Sequence, residues 1–423
     1  MIINFLTRYK TWFSIIPATH LLSLVISCSL LETEPEIYIP DSIIPADSVI
    51  AISDVNVIPI GDKGIMTHRT VILSDGKIQG IHDVNEAVIP DSAIIIDGSG
   101  KYLMPGLLDM HVHMHAEDLE EYLSSGITTV RNMWGTPDVK KLAHSIDVDS
   151  LTGPEIYSAS PGIDGDPPTW GYTQVIEDPA EASKLVKRLK SEGWRFLKVY
   201  NRLQPDVYKA VSHAAKSENI KLIGHTPWAL TIEDVLNAEQ ASVEHFTGFD
   251  RYLGGSQSYQ AWISIDQTKI PSIAKRTANS ETWICPTLVV LEALSVKNLV
   301  ESEVYQVQQN LFKLLKSLYD ERVKLLIGTD SGIQLTSPGI SIHNELKKFV
   351  QAGIPPSEVL QIATLGGAQF LQIDDQVGTV SVGKQADLLL LNANPLRNIE
   401  NTTQIESVIV NGALYPTEYF TRE

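Results

Sequence analysis

The chain has 423 residues, 43% of them hydrophobic and 20% charged, and 33 Lys and Arg face 51 Asp and Glu for a net charge of −18. This is an ordinary globular composition, and the length suits one large barrel plus an accessory domain. The acidic balance, with no Lys/Arg cluster, excludes a nucleic-acid binder, which needs a basic face for phosphates.

The first residues do not read as fold. Arg8 and Lys10 form a short positive region, and residues 12–26 are largely apolar apart from His20. The run is short for a membrane span and suits a signal-peptide core. It ends in Val25-Ile26-Ser27-Cys28, which resembles the bacterial lipoprotein signal, cut before a Cys that is then acylated. An ordinary cleaved signal and an uncleaved anchor are the competing readings. Residues 1–27 are therefore expected to be a leader, with Cys28 lipidated and the protein exported and anchored to a bacterial membrane, facing periplasm or cell surface. The other cysteine, Cys285, is then alone, so no disulfide framework exists. Residues 28–47, rich in Pro and Glu, read as a tether.

Residues 48–103 read as β structure, with strands over 49–60, 70–74, 77–81 and 93–97 and a hairpin turn at Asp75-Gly76. The far end, residues 373–423, reads the same way, with strands at 378–382, 386–391 and 407–412. The two flanks are expected to pair into one small β-sandwich domain.

Between them, over 104–372, short apolar strands alternate with amphipathic helices. Strands are predicted at 106–112, 127–132, 155–159, 195–200, 220–225, 241–245, 282–288 and 324–330. Helices are predicted at 117–125, 137–145, 180–192, 204–217, 231–239, 302–322, 341–352 and 355–371. Eight such units have the size of a (β/α)8 TIM barrel, with a doubly wound sheet as the alternative.

In a parallel barrel, functional side chains sit at the C-terminal strand ends. His111-x-His113 closes the first strand, and residues two apart on a strand share a face. Lys198 lies near the end of the fourth strand, His225 closes the fifth, His245 the sixth and Asp330 the eighth. Singly, each His has a bland reading as a core or surface residue, and Asp330 as a helix N-cap. Lys198 is harder to dismiss, because a Lys inside an apolar strand buries a charge. A depressed pKa or carbamylation would relieve that cost.

On these residues the chain resembles the amidohydrolase superfamily, in the binuclear subgroup with a carbamylated lysine. Within it, the prolidase-like, imidazolonepropionase-related members are most similar. The matching stretches are 104–113, Gly126 to Arg131, Leu197-Lys198, Gly224-His225, Val243-Glu244-His245 and Gly328-Thr329-Asp330, with Ala363-Thr364, 378–389 and Asn411-Gly412 in the tail. The resemblance implies that His111, His113 and Asp330 hold one metal and His225 and His245 a second. Carbamylated Lys198 and a hydroxide would bridge the two. Two divalent ions are expected, and Zn2+ fits this ligand set best. The hydroxide would attack a substrate carbonyl, with Asp330 taking the proton and returning it to the leaving amine.

Tyr200 shares the face of Lys198 and is read as a donor to the substrate carbonyl or as a packed rim residue. His115 is read as a pocket residue, and Arg131 as the partner of a carboxylate or of a structural ion pair. Residues 161–172 read as a loop over the pocket, and His343 as structural. The expected activity is hydrolysis of a C–N bond in a dipeptide, Xaa-Pro dipeptidase-like, or in an N-acyl amino acid. A cyclic amide, lactone or ester hydrolase, and an inactive lipid-anchored binding protein, are the alternatives. The oligomeric state is left open.

Overall fold

The computed structural model describes residues 42–61, 64–148, 150–333 and 335–420. The leader, Cys28 and most of the tether lie outside these residues. Among the described residues no helix is long and apolar enough to cross a membrane.

Seven short parallel strands form the centre: β1 (Leu107–Val112), β2 (Ile127–Asn132), β3 (Glu155–Ser158), β4 (Phe196–Val199), β5 (Lys221–Gly224), β6 (Ser242–Glu244) and β7 (Trp283–Cys285). β1, β2 and β3 pair in order, as do β4, β5, β6 and β7. A bridge from Ala159 to Phe196 links the end of β3 to β4. Residues 325–331 stand where the eighth strand is expected but form no ladder. They pair through isolated bridges, Leu325 with Ile284 and Ser331 with Val112, and through scattered backbone hydrogen bonds. Strands β1, β2 and β4 are buried at every position, as a parallel sheet covered on both faces requires, and polar residues such as Asp109, Arg131 and Lys198 are buried with them.

Helices follow the strands and turn their apolar stripes inward. Pro137–Asp147 starts with Thr136 accepting from the Val139 amide and buries Val139, Leu142 and Ile146. Ile232–Asn237 opens on a capping box between Thr231 and Asp234. The apolar stretch after β7 is helix rather than strand: Thr287 turns the chain at φ 48°, and Leu288–Asn298 follows. The Glu345 carboxylate accepts the Leu288 and Val289 amides at 2.9 and 2.8 Å, satisfying the first donors of that helix. Shorter helices form at Phe249–Gly254 and Ile270–Ala278, where none is predicted from the sequence; the second buries Ile270, Ile273, Ala274 and Thr277 at helical spacing.

The two flanks do pair. Leu388–Leu391 lies between Tyr102–Pro105 and Ile405–Val410, and Ile50–Val57 carries the rest of the N-terminal flank, in one eight-stranded sheet. The apolar run from Met104 serves two sheets. Gly106 donates its amide to Asp387 of the flank, while Leu107 donates to Gly126 beside β2. A side chain at Gly106 would meet Thr128 Oγ1 at 2.3 Å, so only glycine lets the chain pass there. The strand expected at 378–382 does not form. Gly378 and Gly383 take left-handed backbone (φ 84° and 88°), which interrupts an extended run.

Candidate active site

The C-terminal ends of the central strands converge on one cavity of about 880 Å3. His111, His113, Lys198, Tyr200, His225, His245 and Asp330 all line it. Every metal-ligand candidate of the sequence is therefore in one place, and so is His115 at the mouth.

Three of the four imidazoles are held by the far nitrogen. His111 Nδ1 lies 2.9 Å from Glu244 Oε2, His225 Nδ1 is 2.8 Å from Asn201 Oδ1, and His245 Nδ1 is 2.6 Å from Thr287 Oγ1. The last contact fixes a tautomer. Thr287 Oγ1 already donates to the Pro286 carbonyl at 2.8 Å, so toward His245 it can only accept. The proton thus sits on His245 Nδ1 and Nε2 is a bare lone pair. Glu244, an ionised carboxylate, imposes the same state on His111. This arrangement, an acceptor on one nitrogen and a lone pair aimed inward, is how metal-ligating histidines are oriented.

His111 Nε2 is buried with no hydrogen-bond partner among the described residues, although Asp330 Oδ1 lies only 3.2 Å away. With the proton on Nδ1, two acceptors face each other. His113 Nε2 reaches the same Oδ1 at 3.0 Å. The ligand atoms of His111, His113 and Asp330 all lie within 4.8 Å of one another. The donor set fits a divalent cation, which would turn an acceptor–acceptor contact into two bonds to one ion. His225 and His245 form a pair, with ring centres 4.9 Å apart. They need a third ligand to make a second site.

Electrostatics follow the same division. Burial, then the charge of Lys198, hold His225 well below the usual imidazole range, and burial lowers His245 to about 3. Both are neutral, as ligands must be. Burial would raise Asp330, but the surrounding His245 and His111 outweigh it and keep the carboxyl ionised. Burial lowers Lys198 to about 8, within reach of a neutral amine at physiological pH. Its side chain is 1% exposed.

Asp330 caps no helix. It sits at φ 57°, its carbonyl accepts from Thr336 Oγ1, and its carboxylate faces the two histidines. Tyr200 stacks on His225 with ring centres 4.1 Å apart, and its hydroxyl accepts from Trp170 Nε1 at 2.8 Å. That leaves the Tyr200 proton free to point elsewhere. The loop expected over the pocket is pinned by Asp164, whose carboxylate accepts the Gly165, Thr169 and Arg202 amides. His343 packs away from the cavity against Thr402.

Two groups escaped the sequence reading. Glu244 was visible only as part of Val243-Glu244-His245. It is fully buried, and despite that burial Arg131 and then His111 hold it below the usual carboxylate range. Arg131 grips both of its oxygens at 3.0 and 2.9 Å, so Arg131 is both the carboxylate's partner and half of a structural ion pair. The signal was a carboxylate inside an apolar strand, which demands a cation. Asn201 and Thr287 gave no signal, because ordinary polar residues after a strand are common.

A model of the amidohydrolase family matches residues 102–414. The adenine deaminase of Methanococcoides burtonii is 23% identical over 361 residues, 77% of this chain and 52% of its own length. The chain thus spans about half of that relative. The guanine deaminase of Escherichia coli is 21% identical over 390 residues, 80% of this chain and 84% of its own. A crystal structure of a Xaa-Pro dipeptidase with bound methionine in the active site superposes with a TM-score of 0.70 at 21% identity, over 87% of this chain and 100% of its own. At that identity the likeness shows the fold alone, an α/β fold of the TIM-barrel kind.

Proposed function

The chain belongs to the amidohydrolase family, and from that premise we propose that it hydrolyses a C–N bond in a small amide with two divalent metals. One observation carries this: His111 Nε2 and Asp330 Oδ1 face each other as buried acceptors at 3.2 Å. His111, His113 and Asp330 would hold one ion, and His225, His245 and Lys198 the other, with Lys198 as a carbamate shared by both. Zinc suits imidazole and carboxylate donors. When bound, such ions acidify a water and polarise a carbonyl near neutral pH.

The chain's own residues do the rest. Glu244, Asn201 and Thr287 hold three imidazoles so that only Nε2 faces the cavity. Asp330, ionised between the two His residues of β1 and its exit, accepts the proton of the attacking water and passes it to the leaving nitrogen. The Tyr200 hydroxyl, already accepting from Trp170, donates to the substrate oxygen. The pairings from β1 to β7, with the bridges at Leu325 and Ser331, support closure of a (β/α)8 barrel; the shared flank sheet supports a sandwich domain beside it.

Prolidase-like folds favour a dipeptide or an N-acyl amino acid as substrate. The curated relatives favour a second reading, deamination of a purine-like ring. Screening metal-loaded protein against both classes separates them. Elemental analysis is expected to find close to two divalent ions per chain. Asp330→Asn is expected to keep the second ion and lose about 10²–10⁴-fold in turnover. Near-normal hydrolysis by that variant, with metal content confirmed, would leave the mechanism without its base.

A further inference from the structure

We infer that the substrate is an aromatic or bulky apolar amide that carries no carboxylate, an inference that rests on the amide-hydrolase reading and narrows it. One wall of the cavity is aromatic and reaches the histidines through Tyr200, stacked on His225. The Trp134 ring meets the Tyr200 ring edge-on at 5.2 Å, and Trp170 donates to the Tyr200 hydroxyl. Trp170 and Tyr172, from the loop pinned by Asp164, are 59% and 55% exposed while lining the same cavity. Large apolar rings left open around a polar floor mark a surface that a ligand covers. The cavity, about 880 Å3, holds a substrate with a ring or a long side chain.

Charge decides the rest. Among the described residues lining the cavity, Lys198 is the sole Lys or Arg, and it lies at the floor among the histidines. The charged side chains at the mouth are Glu117 and Asp138, both acidic and exposed. Arg202, the next cation along the chain after Tyr200, does not line the cavity; its guanidinium stacks on Trp228, 5.0 Å from the ring centre. A substrate carboxylate would therefore pass between aromatic rings and meet no Lys or Arg at the mouth among the described residues, and a desolvated anion without a partner is costly. The net charge of −18 opposes its approach as well. Free dipeptides and N-acyl amino acids carry such a group. N-acyl amines and peptide amides do not.

The test compares N-acetylphenylalaninamide with N-acetylphenylalanine, which have the same shape and differ in charge. Acetate release by the metal-loaded full chain reads turnover, and quenching of tryptophan fluorescence reads binding without turnover. The neutral compound is expected to be favoured about 10-fold or more in kcat/KM and in Kd. Tyr172→Ala, which leaves the hydrogen bond from Trp170 to Tyr200 in place, should raise KM for N-acetylphenethylamine several-fold. Equal or better use of the carboxylate would overturn the inference, all the more if Arg202→Ala abolished that preference. Failure of the neutral compound to bind would overturn it too. Selective binding of the neutral compound with neither acetate nor ammonia released would uphold the pocket's selectivity and refute amide hydrolysis instead.

Discussion

Glu244 shows how one buried residue organises a site it does not touch. Its carboxylate takes two bonds from Arg131 and one from His111, with Ser242 also donating, in a region without solvent. Neutralising it leaves the Arg131 guanidinium buried and unpaired, and removes the acceptor that fixes the His111 proton. Glu244→Gln is expected to lower stability by about 3–5 kcal/mol. It should also weaken metal binding by roughly 10–100-fold, since His111 is free to change tautomer. Denaturant midpoints and metal titration check the two effects separately. An unshifted midpoint would mean that Arg131 finds another partner. Lys198 is different in kind: burial, with a smaller push from Arg131, lowers its pKa against the pull of Glu244 and Asp330.

Strand ends, rather than whole strands, carry the chemistry, and their backbone is unusual. His245, Thr287 and Asp330 all take left-handed φ values, 57°, 48° and 57°. Such strain is stored where the surrounding contacts over-determine it. Gly224, just before His225, sits at φ 125°, and a methyl group there would come within 2.2 Å of the Val199 carbonyl oxygen and 3.1 Å of Lys198 Cδ. Gly224→Ala is expected to cost about 1–3 kcal/mol in backbone strain and to displace Lys198 as well. A urea titration measures the first and bound metal the second; wild-type values for both would show that this strand end gives way easily. The loop between β3 and β4 has the opposite role. Asp164 ties it to the Arg202 backbone, so Trp170 and Tyr172 are held in place at the mouth.

At the scale of the molecule, the two flanks of the described residues meet. The sheet strand Leu388–Leu391 is hydrogen-bonded to Tyr102–Pro105, one residue before β1 begins. Any load on the flank domain is therefore felt at the strand that ends in His111 and His113. Where the whole protein resides rests on residues 1–28. We expect the mature chain to partition with membranes and Cys28→Ala to release it or block processing. Mass spectra showing unmodified Cys28 at or inside the mature N-terminus would remove the lipid anchor.

Much of this was legible in the chain itself. Buried parallel strands are mostly apolar, so β1 and β4 announce themselves, and a His, Lys or Asp in or after such a run stands out against that background. The ligand candidates could be named without a structure for that reason. What local pattern cannot carry is pairing between distant segments. Residues 324–330 read as a strand, yet they meet their neighbours through an isolated bridge and scattered backbone hydrogen bonds rather than a ladder. The run from Met104 read as one strand because Gly106 looks like any glycine until Thr128 is packed against it. Trp283 to Leu291 is apolar in either conformation, and only Glu345, 57 residues from Leu288, settles the helix by taking its first amides. The proton positions on His111 and His245, and the absence of a cation at the cavity mouth, likewise depend on which side chains the fold brings together.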